Sequence, residues 1–229
     1  SVTDEAGVAP MVADTLQRWG RIDILVNNAG ILRDKSFAKM ELADFRLVMD
    51  VHLMGAVICT HAVWPAMRAQ KYGRVVMTTS SSGLYGNFGQ SNYGAAKMAL
   101  VRLMQTLALE GAKDGIRVNC LAPTAATRMT EGLLPPAVLE RLTPQSVTPG
   151  LLHLVSQDAP TRAILCAGAG TFERAHVTMT QGVHIGTGPD AAEQVAARFD
   201  EISDRDGETV PDSGSAQGSN EVGKAMQAG

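Results

Sequence analysis

Short apolar runs and longer stretches of helical period alternate along most of the chain. Val8, Met11, Val12, Leu16 and Trp19 recur every three or four positions, which predicts a helix from Asp4 to Trp19 with Pro10 in its early turns and Gly20 at its end. Ile22–Val26, inside RIDILVNNAG, is too short for a helix and is bounded by Asn and Gly, so it is expected as a buried strand. Leu42–Gln70 is helical in period, with a kink expected at Pro65. Arg74–Ser80, RVVMTTS, predicts a second strand. Tyr93–Lys113 predicts a long helix with broad apolar cover from Ala96, Leu100, Leu103, Met104 and Leu107. It stops at Gly115, and Ile116–Ala122, IRVNCLA, predicts a third strand, with Ala163–Ala167 as a fourth.

Strands and helices in alternation, with β-branched runs in place of strict polar/apolar alternation, predict an α/β fold: a doubly wound, Rossmann-like parallel sheet with helices on both faces. This domain is expected over residues 1–188. Residues 189–229 are expected as a C-terminal extension, one amphipathic helix in GPDAAEQVAARFDEI followed by a loose polar connection, DRDGETVPDSGSAQGSNEVG.

Composition narrows the function. A length of 229 residues allows one sizeable core with an appendage. Twenty basic against 23 acidic residues give a net charge of −3, and 4% aromatic content is too sparse for stacking on bases, so nucleic acid is excluded as a partner. Cys59, Cys120 and Cys166 lie far apart and form neither a disulfide framework nor a metal-ligand cluster. No charged start leads into an apolar run, and no uninterrupted apolar stretch is long enough to span a bilayer. A soluble, cytoplasmic protein with no membrane partner is expected.

In open α/β sheets ligands bind at the carboxyl ends of the strands, which here carry NNAG, SSSGLYGNFGQSNYGAAK and PTAATRMT. Gly83, Gly86 and Gly89 follow a strand and precede a helix, but their spacing is not GxGxxG, and a flexible connection is expected in place of a phosphate cradle. Tyr93 and Lys97, at i and i+4, share one face of a helix. Ser80, at the end of the preceding strand, can reach the same point.

NNAG at Asn27–Gly30, Ser80 with Tyr93 and Lys97, and IRVNCLAP after the long helix stand in an order and spacing that resemble the short-chain dehydrogenase/reductase family over nearly the whole chain. NNAGILRDKSF, YGNFGQSNYGAAK and the RMT run are most similar to the (3R)-hydroxyacyl-CoA dehydrogenase part of peroxisomal multifunctional β-oxidation enzymes and their bacterial relatives. The resemblance implies hydride transfer between a nicotinamide cofactor, NAD with NADP as the alternative, and a secondary alcohol/ketone pair, foremost a (3R)-hydroxyacyl-CoA and its 3-oxoacyl-CoA. Other carbonyl substrates (a steroid, a small ketone, an acyl-carrier thioester) and a non-catalytic cofactor-binding or assembly module are the alternatives. Self-association as a homodimer or homotetramer through the helices Leu42–Gln70 and Tyr93–Lys113 is also implied.

By the same resemblance Tyr93 is the general acid/base, Lys97 its activator and a donor to the cofactor ribose, and Ser80 the holder of the substrate oxygen. Asn28, Ala29, Gly30 and Val51 are expected to line the cofactor together with Tyr93, Lys97, Pro123 and Thr124, and Asn27 to tie strands together. Relatives carry Pro-Gly where this chain has Pro123-Thr124. Where most relatives have an asparagine that interrupts the helix and holds a relay water, this chain has His52, in VHLMG; it is either a relay residue or a locally packed histidine. A tyrosine serving as base at neutral pH must be lowered by roughly 3 pKa units, about 4 kcal/mol. A cation about 4 Å away at an effective dielectric near 20 supplies roughly that, and Lys97 is the expected cation.

The segment Thr127–Pro149 resembles the family's substrate lid, with Leu133, Leu134, Val138 and Leu142 as its apolar positions and core packing the expected role for most of them. The family's opening strand and TGxxxGxG turn have no counterpart here, and two βα units of roughly 30 residues each are expected ahead of Ser1.

Overall fold

A computed structural model describes residues 1–127 and 135–228. They form two compact units, Ser1–Ala175 and His176–Gly229. The expected boundary at Gly188 thus falls inside the second unit.

The first unit is a five-stranded sheet in the order β1 (Ile24–Asn27), β2 (Gly73–Thr78), β3 (Ile116–Thr124), β4 (Ile164–Gly168), β5 (Thr171–Ala175). The first four strands are parallel, and β5 returns antiparallel on β4 through Ala169 and Gly170, both at positive φ. This hairpin was not expected. Strand β2 is buried at all six positions, as a central parallel strand covered on both faces must be.

The period of two divides the core. Val75, Met77, Val118 and Cys120 face one side and pack with α1 (Glu5–Trp19) and two further helices, whereas Val76 and Leu121 face the other. On the first side, α2 (Leu42–Met49) runs through a π-helical turn, Asp50–Met54, directly into α3 (Gly55–Gln70). The interruption therefore lies at His52, while Pro65 sits within α3. By length and composition Leu42–Gln70 could cross a membrane, contrary to the sequence expectation. Val63, Met67 and Cys59 are instead buried in the core against β1, β2 and α1. After β2 come α4 (Ser81–Tyr85) and α5 (Ser91–Gly111), the latter burying Ala96, Leu100, Val101, Met104 and Ala108.

The opposite side is covered by the segment after β3. Residues 128–134 lie outside the described residues, and with them the expected lid positions Leu133 and Leu134. Beyond them are α6 (Pro136–Leu139) and α7 (Thr148–Val155). Leu142, Val147 and Leu154 are buried, the last two packing with Val76 and Leu121, while Val138 is exposed. Leu142 therefore packs inside the protein as expected.

In the second unit the expected amphipathic helix is two short ones, α8 (Ala191–Ala197) and α9 (Phe199–Ile202). The expected loose connection contains α10 (Ser215–Gln227), and Met179 bridges Thr209.

Candidate active site

The parallel strands β1, β2 and β3 end side by side, and the chain leaving each carries the polar residues singled out by sequence. Ser80 lies two residues past β2 and caps α4, its Oγ accepting from the Ser82 amide at 3.2 Å. Four residues into that connection Leu84 joins the core, and at Gly83 a side chain would come within 2.7 Å of the Lys97 Cβ. A glycine is required there because α4 lies against α5 at its catalytic-face turn. Gly86 and Gly89, at φ near +80°, then turn the chain into α5, so the three glycines serve packing and turning.

Asn92, fully buried, accepts the Tyr93 amide on its Oδ1 at 2.7 Å and donates Nδ2 to the Arg33 carbonyl at 2.9 Å. This pins the first turn of α5 to the loop after β1. Tyr93 is half-buried and hydrogen-bonds to Ser80. One turn on, Lys97 is 3% exposed; its Nζ donates to the Thr78 carbonyl at 2.6 Å and lies 5.4 Å from the Tyr93 ring centroid. The Thr79 hydroxyl in turn donates to the Lys97 carbonyl at 2.7 Å. Ser80, Tyr93 and Lys97 thus meet at one mouth of the sheet.

Burial sets the electrostatics. It pushes the Lys97 ammonium down to about 8. It also raises the Tyr93 phenol, an effect opposed by the Ser80 hydrogen bond and reinforced by the Asp34 carboxylate. The Lys97 ammonium is turned to the Thr78 carbonyl, and desolvation is the largest influence on the phenol.

His52 is 3% exposed and packs edge-on to Tyr93, with ring centroids 5.2 Å apart at 84°. Its Nε2 lies 2.8 Å from the Ile31 carbonyl and 3.1 Å from the Ile31 amide. Nε2 makes both contacts to Ile31, and Nδ1 is buried with no partner among the described residues. Burial, helped by Lys97, lowers the imidazole to about 4, so the ring is neutral near pH 7. The π-helical turn carries His52 inward, and Gly30 makes room for it: a Cβ at Gly30 would run into the imidazole.

The other expected cofactor residues occupy the same strand ends. Asn28 accepts from the Thr78 hydroxyl at 3.1 Å, and Ala29 and Gly30 continue past it. Asn27 donates to Thr60 at 3.0 Å and to the Met77 sulfur at 3.2 Å, tying β1 to α3 and β2. Asn28, Ala29, Val51 and His52 line one part of a cleft of about 200 Å³ that continues past Met11 and Cys59 along the open edge of β1. Pro123 and Thr124 end β3, paired with Ala167 and Gly168 of β4, and Thr124 is exposed. A larger hollow of about 550 Å³, lined by Met179, Val183, Ile185, Val195 and Lys224, belongs wholly to the second unit and contains none of the expected residues. No group of three metal-ligating side chains occurs among the described residues.

Sequence reasoning missed Thr78, which both seats Lys97 and holds Asn28, and Asn92, which fixes the start of α5. For Asn92 the signal was present: a polar residue directly before the helix-borne tyrosine has to be satisfied locally.

The short chain dehydrogenase profile matches residues 1–135. A protein of Mycobacterium tuberculosis named as a short-chain type dehydrogenase/reductase is 46% identical over 211 residues, covering 92% of this chain and 73% of that protein. The peroxisomal hydratase-dehydrogenase-epimerase of Saccharomyces cerevisiae is 44% identical over 197 residues, 85% of this chain, but the match spans only 22% of that protein. Full-length peroxisomal multifunctional enzyme type 2 from Drosophila melanogaster superposes on all of this chain with a TM-score of 0.82 at 34% identity, using 40% of its own length. The chain therefore belongs to the short-chain dehydrogenase/reductase family and is an oxidoreductase acting on CH–OH donors with a nicotinamide cofactor.

Proposed function

We propose that the chain oxidises a (3R)-hydroxyacyl-CoA to its 3-oxoacyl-CoA, with NAD as acceptor. The observation that carries this reading is the meeting of Ser80, Tyr93 and Lys97 at the strand ends, in a chain whose similar proteins include a peroxisomal hydratase-dehydrogenase-epimerase. A nicotinamide nucleotide fits these residues: Ala29 and Gly30 offer backbone with little side chain at the end of β1, and the buried Nδ1 of His52 faces this region unpartnered. When bound, that group accepts the hydride from the carbinol carbon.

The protein's own residues handle the proton. The Ser80 hydroxyl holds the substrate oxygen, and Tyr93 takes the hydroxyl proton on its phenolate oxygen. Lys97, fixed by Thr78, keeps a positive charge beside the phenol and presents its remaining N–H groups to the ribose hydroxyls. Lys97 opposes the desolvation that raises Tyr93 in the free protein, and a bound oxidised nicotinamide would add its positive charge to that of Lys97. His52 holds a relay water on Nδ1, a role that its neutral ring allows.

The raised phenol also favours a second reading, reduction of a 3-oxoacyl thioester with Tyr93 as proton donor. A 3-oxoacyl-[acyl-carrier-protein] reductase of Synechocystis is 43% identical over 61% of this chain. Substituting Phe for Tyr93 is expected to abolish turnover of hydroxyacyl-CoA, about 10³-fold or more in kcat, while leaving NAD binding by calorimetry within a few-fold. Unchanged turnover would dismiss the assignment. Comparing kcat/KM for hydroxyacyl-CoA oxidation and 3-oxoacyl thioester reduction decides between the two directions.

A further inference from the structure

The side chain of Gln90 is placed unusually for its position. Gln90 is the residue before α5, where a side chain would ordinarily satisfy the first amides of the helix, yet it makes no such bond. Its Nε2 instead donates to Asp34 Oδ2 at 2.7 Å, in the loop after β1. Its Oε1 accepts from the Ser82 hydroxyl at 2.7 Å and from Asn87 Nδ2 at 3.2 Å. The Ser82 amide donates to Ser80 Oγ at 3.2 Å. One carboxamide thus joins a carboxylate on the β1 loop to the turn that bears Ser80, and a backbone bond from the Lys35 amide to the Gly89 carbonyl at 2.9 Å runs beside it. A carboxamide suits this place because it must donate to one neighbour and accept from two others.

We infer that Gln90 is a positioning residue: through Asp34 and Ser82 it fixes the Ser80 turn, and with it the Ser80 hydroxyl, against Tyr93. The kinetic part of this inference rests on the reading of Ser80 and Tyr93 given above; the structural part does not. Because the Ser82 amide bonds to Ser80 Oγ as acceptor, the Ser80 hydroxyl proton stays aimed at Tyr93 or a substrate oxygen. Loss of the clamp lets the turn rotate and that aim is lost, while the cofactor-lining residues Asn28–Gly30 stay in place.

The test is a donor–acceptor exchange. Gln90→Glu keeps the size and the acceptor toward Ser82 but sets a second carboxylate against Asp34. Adding Asp34→Asn restores a donor on the opposite side. Two readouts are taken on the full chain: hydrogen exchange of the segment Ser80–Gly86, and kcat with a (3R)-hydroxyacyl-CoA. Gln90→Glu is expected to speed exchange in that segment and to lower kcat by roughly tenfold or more, with KM for NAD little changed. The double variant is expected to return both to within about threefold of wild type. Gln90→Leu, which removes all three side-chain bonds without adding charge, should show the same faster exchange and no rescue by Asp34→Asn. Unaltered exchange in Gln90→Glu, or a double variant no better than the single one, overturns the inference. If the wild-type protein turns over no hydroxyacyl thioester, the substrate reading fails while the exchange data still decide the clamp.

Discussion

Replacing Lys97 with Met is expected to trade activity for stability in a way that depends on pH. The lysine is 3% exposed, and burial takes it from 10.5 to about 8. A folded value below the unfolded one means that the unfolded chain binds the extra proton between those two pH values, so stability rises with pH across that window. Below about pH 8 the buried ammonium costs on the order of 3 kcal/mol, from 2.5 units at 1.36 kcal/mol each. The bond to the Thr78 carbonyl returns roughly 1.5–3 kcal/mol, the usual worth of a hydrogen bond from a charged donor. Met has a similar volume and no charge, so Lys97→Met should be about as stable as wild type or up to ~2 kcal/mol more stable at pH 7. Urea unfolding from pH 7 to pH 9 should show wild type gaining about 1 kcal/mol relative to the variant, whose own pH dependence lacks this step. Activity should be lost at every pH. A variant more than about 2 kcal/mol less stable at pH 7, or a gap that does not change with pH, would refute the reasoning that desolvation dominates at Lys97.

Two other changes test the surroundings of the site. Gly30→Ala sets a methyl group into the His52 imidazole, so the ring must leave its edge-on contact with Tyr93; kcat/KM should fall by about tenfold or more, and a change under twofold would separate His52 from the chemistry. Arg68 and Lys71 hold the Asp114 carboxyl below its ordinary 3.8, with hydrogen bonds the largest cause, so its stabilising effect is present above that value and lost as pH falls through the folded one. Asp114→Asn should therefore lower the urea midpoint at pH 7 and flatten the acid side of the stability profile; an unchanged profile would show the cluster to be energetically idle.

Much of the sheet was legible because β2 and β3 are covered on both faces, so their residues had to be apolar and β-branched over a short run. Strand β5, TFERA, is exposed at four of its five positions, and a strand with no buried face leaves no period to read. Helix α10 was hidden by Gly218 and Gly223 and by its serines, which lower intrinsic helix preference. At the site, the spacing of Ser80, Tyr93 and Lys97 was enough to bring them together, although the short helix α4 stands between the strand end and the first two turns of α5. The direction of the Tyr93 shift was not legible. Counting charges showed a nearby lysine, but the amount of water removed from the phenol, and the carbonyl that claims the ammonium, are properties of the packed chain. Likewise VHLMG named His52 without showing that the helix widens there.

That widened turn, Asp50–Met54, ties the chemistry to the winding of a structural rod. It holds one residue more than ordinary winding would need, so removing one residue from it would heal the coil while the faces of α2 and α3 stayed aligned, because the wide turn takes up the extra residue locally. The bulge that carries His52 toward Ile31 would be lost, and the face that α2 presents to α5 would stay as it is. Loss of one amino acid in this stretch would thus disturb the mouth of the sheet and spare its outer wall, which makes its length, more than its composition, the thing descent must preserve.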